Sequence, residues 1–192
     1  MNNFKHRPLS WSQISCFHYN PEEWFSRYVK GEKTPPNKEM LFGKYVGDKL
    51  ASDPTFLPQV PRLSKYEHEL RVVFNGIHLI GFMDNFCDQS QKVMYEFKTG
   101  KRPWNQKRVD EHGQIDMYAL MHFITTKIPP EQMDFKLVWL PTKESGDFSI
   151  SLIEPVVPQI FTTKRTTADI LRFGAYINDT VKAMASYPQP QP

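Results

Sequence analysis

A glutamate and a lysine stand two residues apart in residues 92–98, where polar and apolar side chains alternate as in a β-strand. Alternate side chains of a strand point to the same face, so Glu96 and Lys98 share one face and the opposite face is apolar or aromatic. Charged groups on a strand inside a sheet are costly unless they are paired or bound to an ion. Asp84 ends the preceding predicted strand and can approach Glu96 if the two strands pair. We therefore predict a cluster of two carboxylates and one ammonium.

Such a cluster suits a divalent metal ion and phosphoryl chemistry. Mg²⁺ takes oxygen ligands, often one or two carboxylates together with substrate phosphate. A bound metal can polarise a phosphoryl oxygen, generate hydroxide and orient the leaving group, and a neighbouring lysine can position the attacking water or help to deprotonate it. A Glu-x-Lys strand by itself is more often a solvated face with a weak salt bridge, so this interpretation needs support from elsewhere in the chain.

A polar pair on the next predicted helix gives that support. Gln114 and Tyr118 stand four residues apart in a segment that we predict to be helical from residue 109 to residue 126, so they share one face. A polar pair on a core-facing helix can be a satisfied buried hydrogen bond. It can also hold a catalytic lysine or a phosphate, and His112 just before it can touch a phosphate or lie on a plain helix surface.

The pattern of the remaining residues predicts an α/β (α+β) protein. We predict further helices over residues 10–17, 21–29, 40–51 and 167–184. We predict strands over residues 67–74, 77–84, 92–98, 135–140 and 148–153. The dipeptide Asn75-Gly76 is a strong signal for a tight hairpin between the first two strands. This order of elements fits a mixed central sheet flanked by helices.

The composition excludes disorder and membrane insertion. The chain has 192 residues, of which 40% are hydrophobic and 23% charged, and domains typically have roughly 100–200 residues. No apolar run approaches the roughly 20 residues of a membrane span, and the first residues do not resemble a signal peptide. We expect a soluble, cytoplasmic protein in which residues 1–187 form a single domain and residues 188–192 form a flexible Pro/Gln tail.

A basic segment with one aromatic residue follows the predicted catalytic strand. Lysine and arginine neutralise phosphates, and an aromatic ring can stack on an unpaired base, so this segment is the candidate DNA contact. A merely solvated basic loop is the alternative, and the net charge of +3 is compatible with both. The segment contains Lys101, Arg102, Trp104, Lys107 and Arg108.

Three motifs follow one another along the chain, namely Gly81-x-x-Asp84, Glu96-x-Lys98-Thr99-Gly100 and Gln114-x-x-x-Tyr118. In this order they resemble the PD-(D/E)XK core of RecB-like nucleases. The likeness begins near Ser10, includes the segment Ser10-Trp11-Ser12 and the predicted helix around Gly43 and Gly47, and extends to Tyr118. The resemblance implies a restriction-endonuclease-like fold.

The resemblance also implies a role for each residue that matches. Asp84 would be the central metal ligand, Glu96 and the backbone carbonyl of Phe97 would complete the protein ligands, and Lys98 would assist the nucleophilic water. The side chains that orient the lysine or the substrate backbone would be Gln114 and Tyr118.

The activity implied by the resemblance is hydrolysis of DNA phosphodiester bonds with Mg²⁺ or Mn²⁺. The Gln-x-x-x-Tyr helix favours an exonuclease, and single-domain relatives are often phage-encoded recombination or repair enzymes of a bacterial host. A homo-oligomer and recombination or replication partner proteins remain open.

Two departures from the family pattern motivate alternatives. The first-motif helix of RecB-like nucleases usually offers a histidine ligand, but Gly47 stands at that position and only the neighbouring Asp48 can partly replace it. This departure motivates a non-catalytic nucleic-acid-binding module of the same fold, and a structure-specific or restriction-like endonuclease is the alternative among enzymes. The iron–sulfur cluster of some relatives is not expected, because the chain has only Cys16 and Cys87 and has Asn20 at the first cysteine position.

Overall fold

The computed structural model describes residues 7–87, 89–146 and 149–188 of the chain. Its helices are α1 (Trp11–Tyr19), α2 (Pro21–Trp24, continued by a π-helix over Phe25–Lys30), α3 (Lys38–Ser52), α4 (Gln106–Asp110), α5 (Gly113–Thr126) and α6 (Thr167–Ser186). Its strands are β1 (Lys65–Phe74), β2 (Ile77–Phe86), β3 (Val93–Gly100), β4 (Asp134–Glu144), β5 (Ile150–Leu152) and β6 (Gln159–Thr163). Most of the predicted tail, residues 189–192, and the predicted start of a strand at residue 148 lie outside the described residues. Among the described helices, none combines the length and the hydropathy needed to cross a bilayer.

The six strands form one mixed sheet, which confirms the predicted fold class. Strands β1, β2 and β3 form an antiparallel meander, and β4 lies parallel to β3. Helices α4 and α5 make the crossover that a parallel pair requires. The start of β4 pairs with β6, and its end pairs with β5.

The predicted hairpin between the first two strands is confirmed. Phe74 of β1 pairs with Ile77 of β2, so only Asn75 and Gly76 form the loop. Both loop residues have positive φ, 49° and 78°, as a type I′ turn requires. Asparagine and glycine are the residues that adopt this backbone conformation at least cost.

The two faces of the sheet pack against different helices. On one face, Met94 of β3 is fully buried in a large core with residues of α1, α5 and α6. On the other face, Tyr95 packs with Val46 and Leu50 of α3 in a smaller core. The predicted alternation in β3 is therefore confirmed, and Glu96 is directed to the same face as Met94.

Strands β2 and β3 separate soon after they meet. They pair only at Asn85 with Tyr95 and at Phe86 with Met94. Beyond this point Leu9 takes the place beside β2, accepting from the N–H of Ile80 at 2.9 Å and donating its own N–H to the carbonyl of His78 at 2.7 Å. We call the opening between Asp84 of β2 and Glu96 of β3 the strand fork.

The prediction of one continuous helix over residues 109–126 is wrong. Helix α4 ends at Asp110, and α5 begins anew at Gly113 with His112 as its N-cap. The Nδ1 atom of His112 accepts the N–H of Gln114 at 3.2 Å, which satisfies one of the free donors at the helix start. The apolar pattern of this segment continues across the break, and for that reason periodicity alone did not reveal it.

Strand β6 was not predicted. Residues 155–158 contain two prolines, and no element was predicted between the strand ending at residue 153 and the helix beginning at residue 167. The strand begins directly after Pro158 and pairs with β4 on the side of the sheet opposite β3. A proline just before the first residue of an outer strand removes no hydrogen bond of the ladder, so it does not prevent the strand from forming.

Asn85 next to the strand fork is a buried polar residue with several backbone partners. Its side chain accepts the N–H of Leu63 at 2.6 Å and donates to the carbonyls of Leu63 and Lys65 at 3.2 and 2.7 Å. We expect Asn85→Ala to lower the free energy of unfolding by at least about 2 kcal/mol, because buried backbone groups lose their partner. Urea unfolding measures this change, with Asn178→Ala at a partly exposed position of α6 as the control. A loss equal to that of the control would contradict the expectation.

Candidate active site

The side chain of Asp84 spans the strand fork. Its Oδ2 atom accepts the N–H of Phe97 at 2.8 Å, so a carboxylate replaces the bond that a paired strand would make there. The N–H and C=O of one strand residue point to the same side, so the carbonyl of Phe97 also faces the fork. The fork therefore presents a carboxylate and a backbone carbonyl at one point.

Glu96 is a buried carboxylate with one satisfied oxygen. Only 1% of its surface is exposed, and its Oε1 accepts from the Nζ of Lys98 at 2.5 Å. Its Oε2 is buried and accepts no hydrogen bond from the described part of the chain. Burial, and then the nearby carboxylate of Asp84, raises the pKa of Glu96 to about 7. A buried oxygen without a partner costs roughly 1–3 kcal/mol, so the site favours a cation at Oε2.

Lys98 is fixed between two acceptors. Its ammonium donates to Glu96 and to the Oε1 of Gln114 at 3.0 Å, and 29% of its side chain remains exposed. Burial disfavours the charge, but the carboxylates of Glu96 and Asp84 outweigh that effect, and the pKa of Lys98 is raised. Lys98 is therefore an ammonium with one of its three donors left for a ligand.

A chain of hydrogen bonds continues from Lys98 across helix α5 to strand β2. The Nε2 of Gln114 lies 2.8 Å from the hydroxyl of Tyr118, which in turn donates to the backbone carbonyl of Phe82. Burial raises the pKa of Tyr118, so its hydroxyl stays neutral. A Cβ atom at Gly81 would lie 2.8 Å from the Cε1 of Tyr118, which explains the glycine in the Gly-x-x-Asp motif.

The structure thus brings together the five predicted catalytic side chains. They are Asp84, Glu96, Lys98, Gln114 and Tyr118. The predicted additional ligand Asp48 is not part of this group. It lies on the exposed side of α3 and accepts from the Nζ of Lys44 at 3.1 Å. Within the described ranges, no three His, Cys, Asp or Glu side chains are grouped so that they could hold a metal ion. At Gly47 a Cβ atom would meet nothing within 4 Å, so there is room for a side chain that this protein lacks.

The five residues of the predicted DNA-contact segment do not share one surface in the structure. Trp104 and Arg108 line a large open cleft between α1, the start of α5 and α6. Lys101 instead forms an ion pair of 2.5 Å with Glu144, and Lys107 lies 3.9 Å from Glu111. Arg102 is exposed and does not line this cleft.

Sequence reasoning missed how Trp11 and His112 are combined. Both line the same cleft as Trp104, and the rings of Trp11 and His112 lie 6.3 Å apart. Trp11 was noticed only as part of the Ser-Trp-Ser segment, and nothing local in the chain indicates which residue it faces across the fold. The signal in the sequence was Gly113 itself. A glycine at the start of a helix lets another side chain, here Trp11, pack directly against the backbone.

Comparisons with known proteins identify the fold. No protein-family model matches the chain, and no curated protein matches it. A candidate exonuclease from Eubacterium rectale shares 10% identity at a TM-score of 0.60, over 95% of this chain and 83% of that chain. An alkaline exonuclease from Laribacter hongkongensis shares 9% identity at a TM-score of 0.53, over 93% of this chain and 88% of that chain. At these identities the similarity shows that the chain has the fold of these proteins.

Proposed function

We propose that this protein is a metal-dependent deoxyribonuclease that hydrolyses DNA phosphodiester bonds. The observation that carries the proposal is the buried Oε2 of Glu96, which has no partner among the described residues and lies beside Asp84 and Lys98 at the strand fork. A purely structural ion pair would satisfy both carboxylate oxygens, because a buried acceptor without a partner is destabilising. Carboxylate oxygens such as those of Glu96 and Asp84 are the hard ligands that Mg²⁺ and Mn²⁺ prefer.

The donor set fits such an ion. Asp84, Glu96 and the carbonyl of Phe97 would hold it, which leaves further positions for water and for the substrate phosphate. When bound, the ion would polarise a phosphoryl oxygen and favour hydroxide near neutral pH. The role of Asp48 as a further ligand is not supported, because its carboxylate is paired with Lys44 on the exposed side of α3.

The side chains of the protein itself position the substrate and stabilise charge. Lys98 is charged, so it acts as a hydrogen-bond donor to the scissile phosphate or to the attacking water. Gln114 fixes the direction of the ammonium by accepting one of its protons. Tyr118 fixes Gln114 in turn and ties it to β2, so the lysine is held by both sides of the strand fork.

We further propose that the enzyme is an exonuclease acting in recombination or repair. The support is that both proteins compared above are named as exonucleases and share the fold over most of their length. A structure-specific endonuclease is the alternative, and a closed circular DNA distinguishes the two. Degradation of a linear duplex without cutting of the circle supports the exonuclease, whereas cutting of the circle contradicts it.

A cleavage time course tests the nuclease proposal. Linear double-stranded and single-stranded DNA are incubated with Mg²⁺, Mn²⁺ or EDTA and with wild type, Asp84→Ala or Lys98→Ala. We expect cleavage only with a metal ion, and a loss of at least about 10²-fold in Lys98→Ala, the size typical for removal of one charge-stabilising donor.

Lys182→Ala, at an exposed position of α6, is the matched control and should cleave like wild type. Equal residual cleavage in Lys98→Ala and in wild type would indicate a contaminating nuclease. No cleavage with any metal ion would contradict the proposal and leave the non-catalytic module suggested by Gly47.

A further inference from the structure

A large cleft lies beside the candidate active site and is not used by the chemistry proposed above. Its volume is about 960 Å³, and it is lined by residues of α1, of the α4–α5 connection and of α6. Sites for small organic ligands typically have roughly 300–1,000 Å³, so this cleft is large enough for more than a water cluster. Its lining is rich in aromatic and basic side chains, among them Trp11, Tyr19, Trp104, Arg108 and His112.

One wall of the cleft is a stack of planar groups. The rings of Trp104 and His112 are parallel to within 1°, with centroids 5.1 Å apart. The guanidinium of Arg108 lies 3.8 Å from the centroid of the Trp104 ring. The stack keeps Arg108 at the wall through a cation–π contact and through a bond to the carbonyl of Pro103 at 3.4 Å.

This wall is joined directly to the candidate active site. The Nδ1 of His112 accepts from the N–H of Gln114, and the side chain of Gln114 accepts from Lys98. Since Nδ1 is an acceptor, a neutral His112 carries its proton on Nε2. Burial, and then the charges of Lys98 and Arg108, lower the pKa of His112 to about 3, so the ring is neutral and is a hydrogen-bond donor. A DNA strand bound in the cleft would therefore pass His112, which is linked to Lys98 through Gln114.

In the described part of the cleft, Arg108 is the basic side chain that is left to bind an anion. Four carboxylates also line the cleft: Asp116 and Asp169 are paired with Arg165 and Arg172, Glu111 lies 3.9 Å from Lys107, and Asp110 accepts from Gln106 at 2.8 Å. Arg108 has no carboxylate partner among the described residues, and burial and the nearby Arg102 lower its pKa. Arg108 therefore remains as a cation of the stacked wall to which a phosphate group would be complementary.

Tyr19 presents an exposed aromatic ring at the cleft, with the ring of His18 in edge contact at a centroid distance of 5.2 Å. It ends α1 and has 82% of its surface exposed, so burial in the core does not account for a large ring at this position. Tyr176 on the opposite side is 37% exposed. An unpaired base can stack on such rings, whereas a base inside a duplex is already stacked on its neighbours.

We infer that this cleft binds an unpaired DNA strand, with a base stacked on Tyr19 and a phosphate at Arg108. The inference rests on the proposed function for its direction, since the strand would continue past His112 towards Lys98. It assigns the substrate class of the candidate nuclease as single-stranded DNA or a frayed duplex end. A blunt duplex would have to unpair before it enters.

Binding without cleavage tests the inference directly. Fluorescence anisotropy in EDTA compares a labelled oligo(dT) of about 12 nucleotides, which is within the usual site sizes for single strands, with a blunt hairpin duplex. We expect the full chain to bind the single strand more tightly than the duplex. We expect Tyr19→Ala to weaken single-strand binding about tenfold, as loss of one stacking partner does, and to change duplex binding little.

The matched control is Tyr45→Ala, because Tyr45 is a half-exposed aromatic residue of α3 that does not line the cleft. Arg108→Gln provides a second readout that does not depend on stacking. It should reduce the slope of log affinity against log salt concentration by about 0.7, the value for one phosphate contact to a single strand. Circular dichroism of each variant verifies that it is folded.

The outcomes separate this inference from the proposed function. Equal effects of Tyr19→Ala and Tyr45→Ala, or equal affinity for single strand and hairpin, overturn the inference even if metal-dependent cleavage is observed. A Tyr19-dependent preference for the single strand in a protein that cleaves nothing supports the inference and refutes the nuclease.

Discussion

Replacing Glu96 with glutamine is expected to abolish cleavage and to make the metal-free protein more stable. Glutamine keeps the shape of the side chain and an acceptor for Lys98, but it cannot carry the negative charge that a metal ion requires. We expect the cleavage rate to fall by at least about 10³-fold, because metal stabilisation of the transition state is worth several kcal/mol. A glutamate that is costly for the fold but necessary for the chemistry is expected at a functional site.

The gain in stability should depend on pH in a defined direction. The pKa of Glu96 is raised from the ordinary 4.5 to about 7, because the side chain is buried and Asp84 is near. Between these values the folded protein binds more protons than the unfolded chain, so the stability of the wild type falls as the pH rises. The ionised carboxylate of Glu96 therefore destabilises the folded protein fully above about pH 7 and not at all below about pH 4.5. Glu96→Gln removes this destabilisation.

Urea unfolding in EDTA at about pH 5 and about pH 8 measures this effect. His112 and His122 have lowered pKa values and act in the opposite direction, so the informative quantity is the difference between variant and wild type. We expect this difference to be larger at the higher pH, by on the order of 2 kcal/mol. A variant that is less stable than wild type at both pH values would contradict the idea that Glu96 is destabilising.

Gly113→Ala is expected to destabilise the protein strongly although it adds only one methyl group. A Cβ atom at this position would overlap the indole of Trp11 and lie 2.5 Å from its Cζ3. On two sides the ring of Trp11 is confined by those of Phe173 and His112, at centroid distances of 6.2 and 6.3 Å, so relief of the overlap would require the indole to turn towards the cleft and to give up these contacts. We expect a loss of roughly 1–3 kcal/mol in the free energy of unfolding, the usual cost of overpacking, measured by urea unfolding.

A double-mutant cycle distinguishes this overlap from a general intolerance of change at the start of α5. Trp11→Leu removes the ring atoms that the new Cβ would meet, so the double variant should recover at least about 1 kcal/mol relative to additivity. Gly47→Ala in α3 is the control, because a Cβ there meets nothing within 4 Å, and alanine should be neutral or stabilise by up to about 1 kcal/mol. Strict additivity of Gly113→Ala and Trp11→Leu would show that the two residues do not compete for space.

Features that are local in the chain were predictable from the sequence. The alternation of residues 92–98 placed Glu96 and Lys98 on the buried face, and Asn75-Gly76 identified the hairpin, because both depend on neighbours within a few residues. The contact between Lys98 and Gln114 could also be anticipated, because Gln114 and Tyr118 have the spacing of one helix face and were expected to hold the lysine or a phosphate.

Features that depend on distant pairing were not predictable in the same way. Strand β6 exists because β4 provides a ladder for it, and two prolines nearby obscured it. The separation of β2 from β3 depends on Leu9, which is far away in the sequence. Lys101 and Lys107 were expected to share one DNA contact with Arg108, but neither lines the cleft, and their acidic neighbours are Glu144 and Glu111.

The short pairing of Leu9 with β2 also constrains the order of events during synthesis. Leu9 bonds to the carbonyl of His78 and to the N–H of Ile80, so its partners are made only after α1, α3 and β1 have emerged from the ribosome. The segment around Leu9 cannot pair until the β1–β2 hairpin has formed, although α1 directly after it already has its capping residue Ser10. The residues that close the strand fork on its β2 side are therefore translated before their partners, and they can dock only after those partners have emerged.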